Sequence, residues 1–594
     1  MTDKKELKDF YSRRLNTYTE KYETYRKKER NTNIMRGLSF VGGTALAIIS
    51  ANYSMALMTS VIIATIVIFL FFVKRNAEYQ YNKNINYNLK NINQSELKAL
   101  DNDNSDFDGG AEFVDPKHCY TYDLDIFGNR SIFQKLNRTI TQGGKNLLAN
   151  GFITPSKDIS KIIETQQNTQ LFIDEVDARQ NFIAEGKLFK DDITDQNIED
   201  ISKAEYFFTN SPLWKIISIT LITSTLSTLI LASYDIVSIY IPSFLFIVQL
   251  TIFSINGKKT KTLSDKIEKT EKAFKKYHSL FKIIENINNI PEKFSAEIKS
   301  KTISKAFGDL ATIALRYEQR HNLMMAFFGQ GIFSYDIIIN IKFENWERKH
   351  CGEIKRWFNI IAEYDFLFSL ANLKFNNPSW CFPKPSENQF ILNAKNAGHP
   401  LIQDEKCVRN HINFSDRNYL VILTGANMAG KSTYLRTIGT NLILSQLGAA
   451  VCAEEFEFSP VEIFTSIRTS DSVQDSQSYF FAELSRLQQI IQKLEAGATL
   501  FIIVDEMLRG TNSKDKHDGS EKFLHKILKY NCYGIFATHD IDIGNIKTLY
   551  PNNIDTKCFE ISFQGDELIF DYTLKDGISK NLNASYLMKK MGII

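Results

Sequence analysis

Four stretches of the chain are almost continuously apolar, and they fall into two pairs. Gly37–Ala51 and Ser54–Val73 are separated by a polar step at Asn52-Tyr53; Trp214–Tyr234 and Ile236–Ile255 are separated by Asp235, with Lys215 near the start. A helix of about 20 apolar residues crosses a hydrocarbon core, and three of the four segments approach that length. The first reaches it by extending through Ile34-Met35. Two readings fit: transmembrane hairpins, or buried core hairpins, the second helped by Pro242 and the serines and threonines of 218–228. The charges favour the first. Lys21, Arg26, Lys27, Lys28, Arg30 and Arg36 precede the first pair, Lys74 and Arg75 follow it, and Lys258, Lys259 and Lys261 follow the second. The steps at 52–53 and 235 carry no Lys or Arg. Basic flanks stay on the side that is not translocated, so both hairpins are expected to enter and leave from the cytoplasm. That places a multi-pass chain in the cell (inner) membrane, both termini in the cytoplasm. A long charged stretch precedes the first apolar run and no small-residue cleavage site follows it, so a cleavable signal peptide is not expected.

The remaining pattern divides the chain further. Residues 1–33 read as a charged helix with Leu7, Phe10, Tyr11, Leu15 and Tyr18 along one side. The first hairpin takes 34–75. Residues 76–112, rich in Asn and Asp and ending in Asp108-Gly109-Gly110, read as a linker. A helical block follows at 113–212, punctuated by Gly143-Gly144 and Pro155; then the second hairpin at 213–256. A charged amphipathic helical block runs over 257–380, broken at Pro291 and around Gly329–Gly331. After Pro383 short β-rich runs alternate with helices, and 381–594 reads as a parallel α/β domain.

Composition narrows the picture a little. With 594 residues, 43% hydrophobic, 23% charged and a net charge of +3, the chain is an ordinary multi-domain folded protein and not a strongly basic coat for nucleic acid. The lysine-rich stretch Asp265–Lys276 reads as a solvated helix face. Seven cysteines without a CxxC pair or histidines at zinc spacing read as reduced thiols.

The chemistry lies in the last third. Tyr419–Leu423 is a short apolar strand running into Gly425-Ala426-Asn427-Met428-Ala429-Gly430-Lys431-Ser432, followed by a helix to about Leu447. Such glycines let backbone N–H groups wrap phosphates, Lys431 adds charge near the β- and γ-phosphates, and Ser432 offers its hydroxyl to Mg2+. Leu500–Val504 is a wholly apolar strand ending in Asp505-Glu506. An acid there is placed to hold Mg2+ and the next one to polarise water. Ile535–Thr538 is a third apolar strand, ending in His539, which is placed to sense the γ-phosphate. A lone histidine is otherwise a structural residue.

These residues resemble the MutS family of DNA mismatch-repair ATPases. Thr424–Thr433 with Leu435-Arg436 is similar to that family's TGPNMxGKSTxLR, Asp505–Thr511 to its DExxRGT, and Ala537-Thr538-His539 to its TTH switch. Asp471–Glu483 resembles DDxxxGxSxFxxE, with Ser476 in place of the glycine. Gly398-His399-Pro400 and Val408-x-Asn410 look like the loop that leads into the nucleotide pocket. Fainter likeness runs through Leu124–Gly128, Leu136–Thr139 and Ile361–Asp365. The resemblance implies a P-loop NTPase domain of α/β fold, an all-α MutS-like core and lever region with two inserted transmembrane hairpins, ATP and Mg2+ as cofactors, and nucleotide contacts from 425–433 and Asn410. It also implies a homodimer in which Ser478 acts across the interface. The family's mismatch-reading domain and its Phe-x-Glu wedge have no counterpart here, and no nuclease-like extension follows Ile594. Two functions stay open: an ATPase coupled to double-stranded DNA, or an ATP-driven membrane switch that does not touch DNA. A transporter is disfavoured by four short spans and the lack of an LSGGQ motif.

Overall fold

The computed structural model describes residues 4–189, 201, 203, 206–267, 270–387, 390–415, 419–426, 429–468, 479–508, 512–564 and 567–579. Two very long helices open it. α1 (Lys4–Ala51) and α2 (Met55–Leu100) have 48 and 46 residues, about 70 Å each. Ser54 sets the reversal between them: its side chain accepts from Leu57 N at 3.1 Å and caps α2. Gly43 faces Thr65 so closely that a Cβ would overlap it, which lets the two apolar halves meet.

The polar stretch 76–112 is therefore not a linker. Residues 76–100 continue α2, because Leu89, Ile92 and Glu96 recur at helical spacing on a buried stripe that also takes in Asn86 and Asn93. Leu89 and Ile92 are buried against Ile183 and Ala184 of the helical body. Only 101–112 forms turns and a short 3-10 helix. Likewise 120–130 is a series of turns rather than the start of a helical run.

Glu96 fixes the stalk to the body. It is 2% exposed and accepts from Arg138 Nε at 2.6 Å, Arg138 Nη2 at 3.2 Å, Asn376 Nδ2 at 2.8 Å and Asn372 Nδ2 at 3.2 Å. Burial alone would raise its pKa; Arg138 and the two amides outweigh that and hold it below the ordinary carboxylate value. Tyr11, fully buried, donates to Asn376 Oδ1 at 2.7 Å from α1.

The helical body centres on Ile354–Asn376, sixteen of whose residues are buried. Its Asp365 accepts from Ile140 N (2.9 Å), Thr141 N (2.8 Å) and Thr141 Oγ1 (2.7 Å), with burial pushing the carboxyl up to about 7. The second apolar pair is Leu213–Ser233 and Tyr240–Ile267. Glu344, fully buried, anchors its entry by accepting from Phe207 N and Phe208 N (2.9 Å) and Thr209 N (2.7 Å). Among the described residues, α1, α2 and these two helices are long and apolar enough to cross a membrane.

The C-terminal part carries two sheets. One has the order β1-β5-β2-β3, from β1 (Lys384–Pro385), β2 (Ile391–Ala397), β3 (Asn410–Ser415) and, later in the chain, β5 (Glu455–Phe458). The other has six strands in the order β10-β9-β4-β8-β7-β6. These are β4 (Tyr419–Gly425), β6 (Glu462–Ser466), β7 (Leu500–Asp505), β8 (Cys532–Thr538), β9 (Ile554–Gln564) and β10 (Glu567–Asp576). All its pairings are parallel except β9–β10. One hydrophobic cluster runs from Tyr120 through Ile354–Asn376 to Phe559, so helical body and sheet share a core.

Because Glu96 and Arg138 are both out of solvent, Arg138→Met leaves a buried carboxylate unpaired. The expected loss of stability is about 3–5 kcal/mol, read as a lowered denaturation midpoint; a loss below about 1 kcal/mol would mean that the pair behaves as a surface one.

Candidate nucleotide site

The central strands are apolar and buried along nearly their whole length: Leu420–Leu423, Leu500–Val504, Ile535–Ala537. Their first polar side chains emerge at the carboxyl ends. The register puts these ends side by side, with Thr424 opposite Thr538 and Asp505 opposite Ala537. The loop after β4, the pair Asp505-Glu506 after β7 and His539 after β8 thus open on one edge.

Gly425 (φ 148°) and Gly430 (φ 107°) bracket the loop in a region that side chains disfavour. At Gly425 a Cβ would come within 2.7 Å of the Phe559 carbonyl. Gly430 caps helix Lys431–Gln446. Lys431, 6% exposed, donates to Gly425 O at 2.6 Å and Ala426 O at 2.9 Å, which holds its ammonium inside the loop. Ser432 donates its hydroxyl to Asp505 Oδ2.

Glu506 and Leu508 both take left-handed backbone (φ 65° and 58°), a strain of about 1–3 kcal/mol each that clusters at functional sites. Two contacts hold them there: Glu506 N donates to Ala537 O at 2.9 Å, and Leu508 N to the buried Glu483 Oε1 at 2.5 Å. Lys516 Nζ donates to Glu506 Oε1 at 2.5 Å. Burial, and then the Lys431 ammonium, lower the His539 pKa, so its ring is neutral at pH 7. His517 pairs with Asp540 at 2.7 Å behind it.

Ala426, Gly430, Lys431, Ser432, Thr433, Asp505, Glu506 and His539 line one cleft of about 830 Å³. Ile402, Val408, Phe559 and Tyr572 add apolar surface to the same cleft. Ala429 is buried beneath the loop. Asn410 also lines the cleft, with its amide engaged: it donates to Tyr572 O at 3.0 Å and accepts from Leu574 N at 2.8 Å. It thereby sets Tyr572 over Gly430. Gly425 is reached through the Lys431 contact, while Asn427, Met428 and Ser478 lie outside the described residues.

Sequence reasoning missed three features. Lys516 lies ten residues beyond Glu506 and carries no motif. Asp125 binds Arg436 at 2.8 Å and Arg468 at 2.7 Å. Asp123 accepts from Thr465 Oγ1, Ile467 N and Arg468 N at 2.6–3.1 Å. The one signal for Asp125 was its place within Leu124–Gly128; Asp123, just before that stretch, carried none.

A magnesium nucleotide fits this donor set: a hydroxyl touching a carboxylate beside a buried ammonium, at the N-terminus of a helix, in a cleft that also has apolar lining. The class is thus a parallel α/β domain with a glycine-bracketed loop at the carboxyl end of a central strand. The family described as MutS domain V matches residues 421–591. The chain is similar to MutS protein homolog 4 of Homo sapiens (28% identity over 260 residues, 42% of this chain and 27% of that protein). Similar too are the DNA mismatch repair proteins MutS of Thermotoga maritima (25% over 251 residues, 41% and 31%) and Chlorobium limicola (30% over 244 residues, 39% and 27%). The chain spans about a quarter to a third of the length of these relatives.

His399, on the loop leading into the cleft, is 9% exposed and accepts from Leu401 N at 3.2 Å. Burial, then Arg436, push its pKa down to about 4. Because the unfolded ring binds its proton near pH 6.5 and the folded one only near 4, stability is full above pH 6.5 and falls between those values, by about 3 kcal/mol. His399→Gln is expected to flatten that part of a denaturation-midpoint-versus-pH curve. An unchanged slope would assign the acid sensitivity to other groups.

Proposed function

We propose that this chain is a membrane-anchored MutS-type ATPase that binds and hydrolyses ATP with Mg2+ at a site completed by a second copy, coupled to double-stranded DNA. The convergence of Lys431, Ser432, Asp505, Glu506 and His539 on one strand edge within the MutS domain V match carries the reading. Loop N–H groups and Lys431 take up phosphate charge, and Ser432 with Asp505 hold the metal. Magnesium, when bound, neutralises charge on the phosphates. Glu506, once released from Lys516, orients and deprotonates water, while neutral His539 reads the γ-phosphate. Ser478 of a second copy closes the site by family resemblance.

Support for the anchor is the apolar surface of the four long helices: Val41, Ile48, Ile63, Phe71, Ile216 and Phe244 are each more than half exposed. Soluble monomers rarely carry contiguous apolar patches above a few hundred Å². Support for DNA comes from the similar proteins of Thermotoga maritima and Chlorobium limicola, which are named as DNA mismatch repair proteins. The second reading, a dimeric membrane switch that leaves DNA alone, is favoured by the apolar helices Leu213–Ser233 and Tyr240–Ile267 packed on the helical body.

Glu506→Gln is expected to lower turnover by about 10²–10⁴-fold while nucleotide binding persists; surviving turnover assigns the base elsewhere. Salt-dependent titration with duplex, branched and mismatched DNA separates the two readings. A flat response alongside normal ATPase activity removes the first. Membrane pelleting that resists high salt is expected, and release by salt alone would make 37–73 and 214–255 core hairpins.

A further inference from the structure

We propose that helical segment Leu323–Phe333 is a re-entrant membrane element, seated beside the second hairpin with lipid hydrocarbon as its partner. The proposal rests on the reading that the hairpin spans a membrane. The sequence from Leu323 to Ser334 contains no charge, and its large side chains face outward: Leu323 is 86% exposed, Met324 65% and Phe327 50%. Eleven helical residues rise about 16 Å, half a hydrocarbon core of about 30 Å, so the segment enters and returns without crossing.

Its depth is fixed by contacts to Tyr240–Ile267. The Phe327 ring lies 5.0 Å from that of Phe246, halfway along the apolar span Ile236–Ile255, and Gly331 packs against the same ring. Ser334 donates to Gln249 Oε1 at 2.6 Å, and Gln249 donates to Thr225 Oγ1 at 2.9 Å, a polar latch across three helices. Arg320, at the cytoplasmic end, lies over Phe253 and pairs with Asp336 at 3.1 Å. Apolar residues thus sit level with the hairpin's own exposed Phe244 and Ile247, and charge begins where the span ends. The backbone of the segment is helical, so its polar groups are satisfied internally, as lipid requires. Continuity of this surface with the hairpin selects lipid over a soluble protein partner.

The test uses purified full-length protein in phosphatidylcholine vesicles, with Phe328→Cys, Met324→Cys, Phe244→Cys as hairpin reference and the exposed Gln319→Cys as aqueous reference. The parent chain, with its seven cysteines, sets the background. A membrane-impermeant maleimide is expected to label positions 324, 328 and 244 about tenfold or more slowly than 319. A nitroxide at 328 should collide with oxygen but not with a nickel chelate. Fast labelling at 324 and 328 with 244 protected overturns the proposal and leaves the spanning reading intact. Fast labelling at 244 as well overturns the spanning reading itself. Exclusion of both oxygen and nickel at 328 marks a protein-covered surface, including a second copy of the chain, and also overturns the proposal.

Discussion

The site depends on one constraint: β4, β7 and β8 are parallel, adjacent and too apolar to show a polar side chain before they end. Parallel register then does what no single motif could. Thr424, Asp505 and Thr538 finish at the same level, so the loop glycines, the acidic pair and His539 face a common space although about 110 positions separate the first from the last. The strain at Glu506 and Leu508 follows from the same geometry. A chain leaving a central strand must turn at once, and Ala537 O and Glu483 hold that turn in left-handed backbone.

The nucleotide edge is tied to the helical body by charge. Asp125, in the turns before the body, binds both Arg436 from the helix following the glycine loop and Arg468 from the end of β6; Asp123 meanwhile accepts from the same β6 segment. Arg468 immediately precedes the stretch that resembles the family's trans-acting signature.

The sheet and its edge were legible in the sequence because buried parallel strands read as uninterrupted apolar runs, and because Gly425–Ser432 and Asp505-Glu506 sit where those runs stop. The stalk was not. The part that meets the body buries a narrow stripe of mixed character, Asn86 and Asn93 beside Leu89, Ile92 and Glu96, and average polarity hides such a stripe. Lys516 was illegible for a different reason: its meaning lies in helix Ser513–Ile527 coming back beside Glu506, not in spacing. The charge-free run at Leu323–Ser334 was visible only as a break near glycine, since twelve residues fall short of any spanning length.

Both apolar hairpins converge on helix Ile354–Asn376. The first arrives through α1 and α2, where Tyr11 and Glu96 meet Asn372 and Asn376 near its C-terminal end. The second arrives through helix Tyr335–His350, locked to Tyr240–Ile267 by Asn340 donating to Thr260 at 2.8 Å, and leads into the same helix at its start. Between these ends Asp365 binds the backbone at Ile140 and Thr141. The shared hydrophobic core carries the helix on to the six-stranded sheet. A close-packed core transmits displacement rather than absorbing it. This helix is therefore linked to both hairpins, to the second through Tyr335–His350, and, through one core, to the sheet whose edge holds Lys431 and Glu506.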